Sequence, residues 1–410
     1  MLLFLCSILL TSFVVSVCLT PVVRRCAPWL GLVDHPGHRK VHFTPTPMGG
    51  GIAVFLGIAV PLAGLFSARL LNWSLPQSLQ LLTRNAPAFD ETRWQVLAII
   101  AGGMLLFLTG LADDRWNLSW KLRLGIQVAV AVGVTAGGVR ATVFVSQPWI
   151  GWGVTVLWIL VLTNALNFLD NMDGLSAGIG LIAALMSAGI LLFMVPQPHL
   201  IAAAGLLLLS GSLAGFLCWN RPPASIFMGD SGSNLIGFLL ATLTVLGTFY
   251  QQSGSRHVIL APLCILAVPL YDFVTVIWIR LRGGRSPFHG DKSHFSHRLV
   301  ELGLRPSRAV LTIHLATLMT GLGGLLLYKV RDWTGAWLIV ALICCVLSLI
   351  GILETVGRRS LAGTTHGSKA ASPQISNSPT EPNSAAEPSS TAVDAAESVE
   401  SKSPSMRSSP

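Results

Sequence analysis

The sequence predicts an all-α polytopic membrane protein with about eleven transmembrane helices. Of its 410 residues, 52% are hydrophobic and 11% are charged, and the mean hydropathy is +0.66. Soluble domains carry about 25% charged residues, so this composition excludes an ordinary soluble fold. Apolar runs long enough to span a bilayer occur near residues 1–20, 49–66, 95–111, 124–140, 152–168, 175–195, 199–218, 232–250, 258–280, 309–328 and 334–354.

The first run indicates a retained helix, because no basic residue precedes it and no small-residue cleavage site follows it. Short links such as residues 196–198 predict antiparallel neighbouring helices. The 7 cysteines are scattered and show no zinc or disulfide spacing, so we expect buried free thiols. Residues 1–358 form the predicted membrane domain. Residues 359–410 are rich in Ser, Pro, Ala and Glu, which predicts a disordered tail.

Basic residues predict the orientation in the membrane. Loops that alternate along the chain differ in their content of Lys and Arg. The poorer set holds few basic residues, among them Arg84, Arg93, Lys329 and Arg331. Because cytoplasmic loops are enriched in Lys and Arg, we expect an external N-terminus, a cytoplasmic tail and cytoplasmic polar motifs. The net charge of +9 lies in particular loops, so it indicates membrane topology more than nucleic-acid binding. The basic loops follow the first, third, seventh and ninth runs and contain Arg24, Arg25, Arg39, Lys40, Arg115, Lys121, Arg123, Arg221, Arg282, Arg285, Lys292, Arg298, Arg305 and Arg308.

The segment from residue 164 to residue 175 contains the densest polar motif. Asn164, Asn167, Asp170 and Asp173 follow one another at a spacing of three, at the end of a predicted membrane helix. We expect the helix to end near Asp170 and an irregular turn to bring Asp173 back beside the earlier groups. One polar residue here would be an ordinary helix end. Four indicate a functional site, because acidic groups at membrane depth are costly.

Two further loops supply carboxylates. Asp113 and Asp114 are adjacent at a helix end, where metal binding, proton abstraction and pairing with a basic residue of the same loop (Arg115, Lys121 or Arg123) are all open. Asp230 lies between two glycines at the start of a helix, as an N-cap or as part of a site. The backbone donors that follow it suit a phosphate group. Phe227, nearby, is more typical of packing than of base stacking.

Two basic loops complete the set. Arg39 and Lys40 precede a glycine triplet at residues 49–51, and they suit either phosphate or anionic lipid. His294 and His297 lie with Lys292 and Arg298 in a cationic loop that would attract a diphosphate. Zinc is disfavoured there because no third ligand follows.

These motifs together resemble the polyprenyl-phosphate N-acetylhexosamine-1-phosphate transferases of the glycosyltransferase 4 family. The resemblance runs from about residue 20 to residue 355 and is closest to the bacterial branch that loads GlcNAc-1-phosphate onto undecaprenyl phosphate. One departure is Ser296, which stands where that branch commonly has another histidine. The alternatives are the sister phospho-MurNAc-pentapeptide transferase of peptidoglycan synthesis and, in a different class, a membrane transporter.

The resemblance implies a reaction in which undecaprenyl phosphate attacks a UDP-N-acetylhexosamine and UMP leaves. It implies a bacterial inner-membrane enzyme that starts a lipid-linked envelope polysaccharide, such as lipopolysaccharide or teichoic acid, with Mg²⁺ or substituting Mn²⁺ as cofactor. Dimerisation is open. The implied roles are Mg²⁺ binding for Asn167 and Asp230, the acceptor phosphate for Asp113 or Asp114, nucleotide and sugar for Asp170 and Asp173, the uracil for Phe227, the phosphates for His294, His297 and Arg298, and further substrate contacts for Arg39, Lys40, Asn164 and Lys292.

Overall fold

The computed structural model describes residues 2–34, 44–71, 86–141, 147–248, 256–287, 291 and 293–369. These residues are almost entirely helical, which confirms the all-α prediction. The helices are α1 Leu2–Cys26, α2 Gly50–Leu70, α3 Ala86–Trp116, α4 Trp120–Ala136, α5 Pro148–Phe168, α6 Leu175–Gly189 with a π-helical extension Ile190–Met194, α7 Leu200–Asn220, α8 Asp230–Thr248, α9 Ala261–Ile265 after a 3₁₀ turn Arg256–Leu260, α10 Ala267–Arg282, α11 Phe295–Glu301, α12 Pro306–Leu326 and α13 Trp333–Lys369.

Each predicted apolar run overlaps at least one helix of the described residues, and the multi-pass membrane fold is confirmed. Among the described residues, 8 helices are long and apolar enough to cross a membrane, or 9 if the pair 256–265 and 267–282, bent by 67°, counts as one span. The sequence predicted about eleven spans. The difference lies in α4, which has only 17 residues, and in α8, which begins with the polar stretch Asp-Ser-Gly-Ser-Asn.

Helix α8 lies at the centre of the bundle, packed against α2, α3, α5, α6 and α7. Small residues let helices approach closely, as they often do in membranes. At the contact of α7 with α1, a Cβ added to Gly211 would lie 2.2 Å from the carbonyl oxygen of Leu9. Because α8 begins at Asp230, its central place brings that carboxylate to the middle of one end of the bundle.

A small β element in the link between α1 and α2 lies at the same end of the bundle and contacts the loop before α8. Strand β1 (Val33–Asp34) pairs antiparallel with β2 (Thr46–Pro47). The backbone amide of Gly51 then donates to the carbonyl oxygen of Met228 over 2.9 Å. A Cβ on Gly51 would lie 2.3 Å from the backbone nitrogen of Gly232, so only glycine fits. The glycine triplet therefore lies in close backbone contact with the loop before α8.

One compact unit runs from the N-terminus to Ala362. Helix α13 runs to Lys369, past the predicted domain boundary at residue 359. Residues 370–410 lie outside the described residues, so the disordered tail stays a prediction.

Candidate active site

The turn after α5 has the predicted form. Helix α5 ends at Phe168, residues 169–174 form turns, and Gly174 adopts a left-handed conformation with φ of 72° before α6 begins. The buried side chain of Asn220 holds this turn. Its Oδ1 accepts from the Gly174 amide over 2.9 Å, and its Nδ2 donates to the carbonyl oxygen of Ile226 over 2.8 Å. Asn220 thus joins two loops of the site, a role that the sequence did not indicate.

Asn167 and Asp230, predicted as metal ligands, lie side by side. The Nδ2 of Asn167 donates to Oδ1 of Asp230 over 2.9 Å and to Oγ of Ser233 over 3.0 Å. Because both contacts use the amide nitrogen, they fix the amide plane and leave its oxygen for another partner. The fold therefore brings together two loops that are 63 residues apart in the chain.

Asp113 forms an ion pair with Arg123 of α4. Its Oδ1 accepts from the Leu118 amide over 2.6 Å, and its Oδ2 accepts from Nη1 of Arg123. The same guanidinium nitrogen lies 2.9 Å from Oδ2 of Asp230. Of the three options open for the adjacent acids, the structure thus shows pairing for Asp113. Arg123 links the loops of Asp113 and Asp230. The sequence indicated that Arg123 lies in a basic loop but did not predict its contact with Asp230.

Asp114 caps the start of α8 from a different helix. Its carboxylate accepts from the backbone amides of Asp230 over 2.7 Å and Ser231 over 3.2 Å, and from Oγ of Ser231 over 2.8 Å. Gly229 has φ of 77°, and a Cβ there would lie 2.6 Å from Asp114. The glycine before Asp230 is therefore required for this contact, which satisfies donors that a helix start leaves without intrahelical partners.

Asp170 sits in a strongly acidic environment. Burial, reinforced by the negative charges of Asp114 and Asp173 and only partly offset by a hydrogen bond from the Gly229 amide, raises the pKa of Asp170 to about 7. A carboxyl with a raised pKa gains from a cation that stabilises its ionised form. The site thus gathers more acid groups than Arg123 alone compensates.

A pocket of about 440 Å³, with several acids and two histidines in its lining, opens beside Asp170. Its size is typical of small-molecule sites. Six residues predicted for the site line it, namely Asp170, Asp173, Phe227, Asp230, His294 and His297. Others were missed, among them Asp34, Asn171, Asn220 and Asp291.

Comparisons with known proteins identify the relatives of this chain. A sequence model of glycosyl transferase family 4 matches residues 96–248. A probable undecaprenyl-phosphate N-acetylglucosaminyl 1-phosphate transferase of Bacillus subtilis is 32% identical over 82% of this chain and 89% of its own length. The chain belongs to the polyprenyl-phosphate N-acetylhexosamine-1-phosphate transferase family.

Two further family members extend the comparison. A decaprenyl-phosphate N-acetylglucosaminephosphotransferase of Mycobacterium tuberculosis is 35% identical over 84% of this chain and 88% of its own length. The undecaprenyl-phosphate alpha-N-acetylglucosaminyl 1-phosphate transferase of Escherichia coli K12 is 28% identical, over 80% of this chain and 85% of its own length. The match to this transferase family confirms the resemblance inferred from the motifs.

Five of the described residues predicted for the site do not line the pocket. Asn167 and Asp114 bond to Asp230 beside it, and Asp113 is linked to Asp230 through Arg123. The other two, Asn164 and Arg298, have partners elsewhere. Asn164 donates to Oε1 of Gln127 over 2.7 Å, one helical turn deeper than Asn167. Arg298 is buried and directs its guanidinium to Glu354 over 3.1 Å. The structure therefore does not bring Asn164 or Arg298 to this pocket, in contrast to the substrate contacts implied by the resemblance. Arg39, Lys40 and Lys292 lie outside the described residues.

The last loop is fixed by contacts that the sequence left undecided. Arg280 is only 2% exposed and donates to the carbonyl oxygen of Pro287 over 2.6 Å and to Asp291 over 3.1 Å. Burial alone would raise the pKa of Asp291, but hydrogen bonds from Ser293 and Arg280 lower it. Ser296, the departure from the family pattern, is buried and donates to Oδ1 of Asn171. It ties the histidine loop to the turn after α5.

The side-chain oxygens of Asn167 and Asp230 are suitable ligands for a magnesium ion. Asn167 offers an amide oxygen and Asp230 a carboxylate, and Mg²⁺ prefers such hard oxygen ligands. No group of three or more His, Cys, Asp or Glu side chains among the described residues could hold a metal alone. Substrate phosphates and water would therefore complete the coordination, as is usual for Mg²⁺.

Proposed function

We propose that the protein transfers GlcNAc-1-phosphate from UDP-GlcNAc to undecaprenyl phosphate and releases UMP. The observation that carries this proposal is the contact of Asn167 with Asp230 beside a pocket lined by His294 and His297. The names of the relatives support GlcNAc as the sugar and a polyprenyl phosphate as the acceptor. The product would start a lipid-linked envelope polysaccharide.

The reaction forms a bond from an oxygen of the acceptor phosphate to the sugar-bearing phosphorus and breaks the bond to the bridging oxygen, whose electrons leave with UMP. Mg²⁺ bound at the site would neutralise charge on the diphosphate. Asp170, Asp173 and Phe227 face the nucleotide and sugar, and the two pocket histidines face the phosphates. Asp114 is committed to the start of α8, so we assign the acceptor phosphate to Asp113, acting with Arg123.

Asn167 and Asp230 hold the Mg²⁺ in this proposal, and Mn²⁺ substitutes for it. Asn167→Ala removes a neutral ligand and leaves the charge of the site unchanged, so we expect the apparent Mg²⁺ affinity to fall by roughly tenfold to a hundredfold. High Mg²⁺ should restore most of the activity. The measurement is a Mg²⁺ titration of transfer, with Asn164→Ala as a matched control that keeps the wild-type midpoint. A wild-type midpoint in Asn167→Ala would remove this residue from the metal site.

The active site faces the cytoplasm of a bacterial inner membrane in this proposal, with the N-terminus outside. Support comes from the helix ends around the acidic cluster, which carry most of the basic residues. Exposed tryptophans flank both ends of the bundle, as in membrane-interface belts. They are Trp29, Trp116, Trp120 and Trp278 at the site end and Trp94, Trp149, Trp333 and Trp337 at the other.

Cysteine labelling tests the orientation. In a background without native cysteines, we expect Ser286→Cys to react with an impermeant reagent only after the cells are permeabilised. Arg331→Cys, on the exposed link between α12 and α13, is the matched control and should react in intact cells. Labelling of Ser286→Cys in intact cells would reverse the proposed topology.

Purified protein incubated with undecaprenyl phosphate, Mg²⁺ and radiolabelled UDP-sugars tests the activity itself. We expect labelled lipid and UMP from UDP-GlcNAc. Label transferred only from UDP-MurNAc-pentapeptide would favour the sister reaction of peptidoglycan synthesis. Family membership gives no support to the transporter alternative, and the absence of any lipid product would contradict the proposed function.

A further inference from the structure

Asp272 is a completely buried carboxylate in α10 that the proposed reaction does not use. It lies in the bent pair of helices that is apolar enough to cross the membrane, six residues after the break at Leu266. Ionisable side chains in such places are costly, and they usually serve a function through a specific partner. The sequence analysis did not identify Asp272 as a functional residue, because it lies inside the apolar run 258–280.

Both oxygens of Asp272 hold the start of the histidine loop helix α11. Oδ2 lies 3.0 Å from Nδ1 of His294, and Oδ1 accepts from the backbone amide of Phe295 over 2.6 Å. In the tautomer with its proton on Nδ1, the imidazole donates to Oδ2 of Asp272. This contact fixes the ring plane and leaves Nε2 on the side of Arg280, whose Nη2 is 3.4 Å away.

His294 lines the substrate pocket, and Asp272 does not. We propose that Asp272 is a positioning residue that holds the imidazole of His294 against the phosphates of the nucleotide sugar. The inference rests on the proposed function, because it needs a diphosphate in the pocket. Removing a carboxylate that orients a metal-ligating histidine commonly changes affinity or activity by about 10–100-fold, and we take the same scale for His294.

A second buried acid isolates this role. Glu354 of α13 accepts from Nη1 of Arg298 over 3.1 Å and from the hydroxyl of Tyr271 over 3.2 Å. The other terminal nitrogen of Arg298 lies 4.0 Å from Asp272. Both acids therefore belong to one buried network, and Asp272 is the acid that lies against Nδ1 of His294. Glu354→Gln is thus a matched control for the general cost of neutralising a buried acid.

A double-mutant cycle tests the proposal on the full-length protein, with the Kd for UDP-GlcNAc measured in Mg²⁺ without acceptor lipid and kcat/KM measured with it. We expect Asp272→Asn to weaken both by roughly tenfold to a hundredfold. In a His294→Ala background the same change should have less than about a threefold effect, because the group that it positions is gone. Glu354→Gln should act by the same factor in both backgrounds.

An equal effect of Asp272→Asn with and without His294 would show a merely structural carboxylate and overturn the proposal. If the wild-type protein neither binds UDP-GlcNAc nor forms lipid product, the proposed function fails instead. If Asp272→Asn does not fold, His294→Asn decides the question. Its amide nitrogen can keep the bond to Asp272, so we expect a near wild-type melting temperature and the weak binding of His294→Ala. Wild-type affinity in His294→Asn would also overturn the proposal.

Discussion

Replacing Asp230 by alanine should abolish the transfer of GlcNAc-1-phosphate. Asp230 is the only carboxylate in the proposed Mg²⁺ ligand pair, and it also contacts Arg123 over 2.9 Å. Its loss removes the anionic ligand and leaves Arg123 to repel the metal ion. We expect kcat to fall by about a thousandfold, the upper end of the effect of deleting one key electrostatic group from an active site. High Mg²⁺ should not restore activity, in contrast to Asn167→Ala.

The experiment measures lipid product across a Mg²⁺ series, with the melting temperature as a check of folding. Asp230→Asn repeats the test with an isosteric side chain whose oxygen can still accept from Nδ2 of Asn167. Ser231→Ala is the matched control at the next position. It removes an uncharged hydroxyl that donates one hydrogen bond to Asp114 over 2.8 Å, and it removes no metal ligand. Substantial activity of Asp230→Ala at ordinary Mg²⁺ would end its assignment as a ligand.

The turn after α5 was predictable because local rules specify it. A run of apolar residues, polar groups at a spacing of three and a glycine in the left-handed position of Gly174 are all visible in the chain. The pairing of Asn167 with Asp230 was implied by the family resemblance, and the spacing of residues in the chain did not predict it. The central place of α8 in the bundle supplies the reason, and helix packing of this kind depends on small residues spread over several helices.

Other features could not be read from spacing. His297 and Arg298 are neighbours on α11, so their side chains point about 100° apart, and only one can face the pocket. The structure gives that place to His297 and turns Arg298 towards Glu354. Asn164 lies about 4.5 Å deeper than Asn167 along the same helix, where it meets Gln127. Arg123 and Asn220 act between distant loops, and a single sequence carries no record of such contacts.

Asp114→Asn should reduce turnover far more than affinity for UDP-GlcNAc. The Asp114 carboxylate accepts three hydrogen bonds at the start of α8, two of them from the backbone amides of Asp230 and Ser231. An asparagine can accept with one atom only, so a buried N–H would face another donor at a cost of about 1–3 kcal/mol. Residues at the start of α8 would then shift, and a misplacement near 1 Å can lower a rate by about a hundredfold.

Asp113→Asn provides the comparison that separates the two acids. Its remaining oxygen can still accept from the Leu118 amide, but the charge that pairs with Arg123 is lost. Because we assign this pair to the acceptor, we expect a higher KM for undecaprenyl phosphate and an unchanged Mg²⁺ midpoint. In Asp114→Asn the Mg²⁺ midpoint should rise, because Asp230 moves with its helix. Wild-type turnover in Asp114→Asn would show that the start of α8 holds Asp230 in place without this carboxylate.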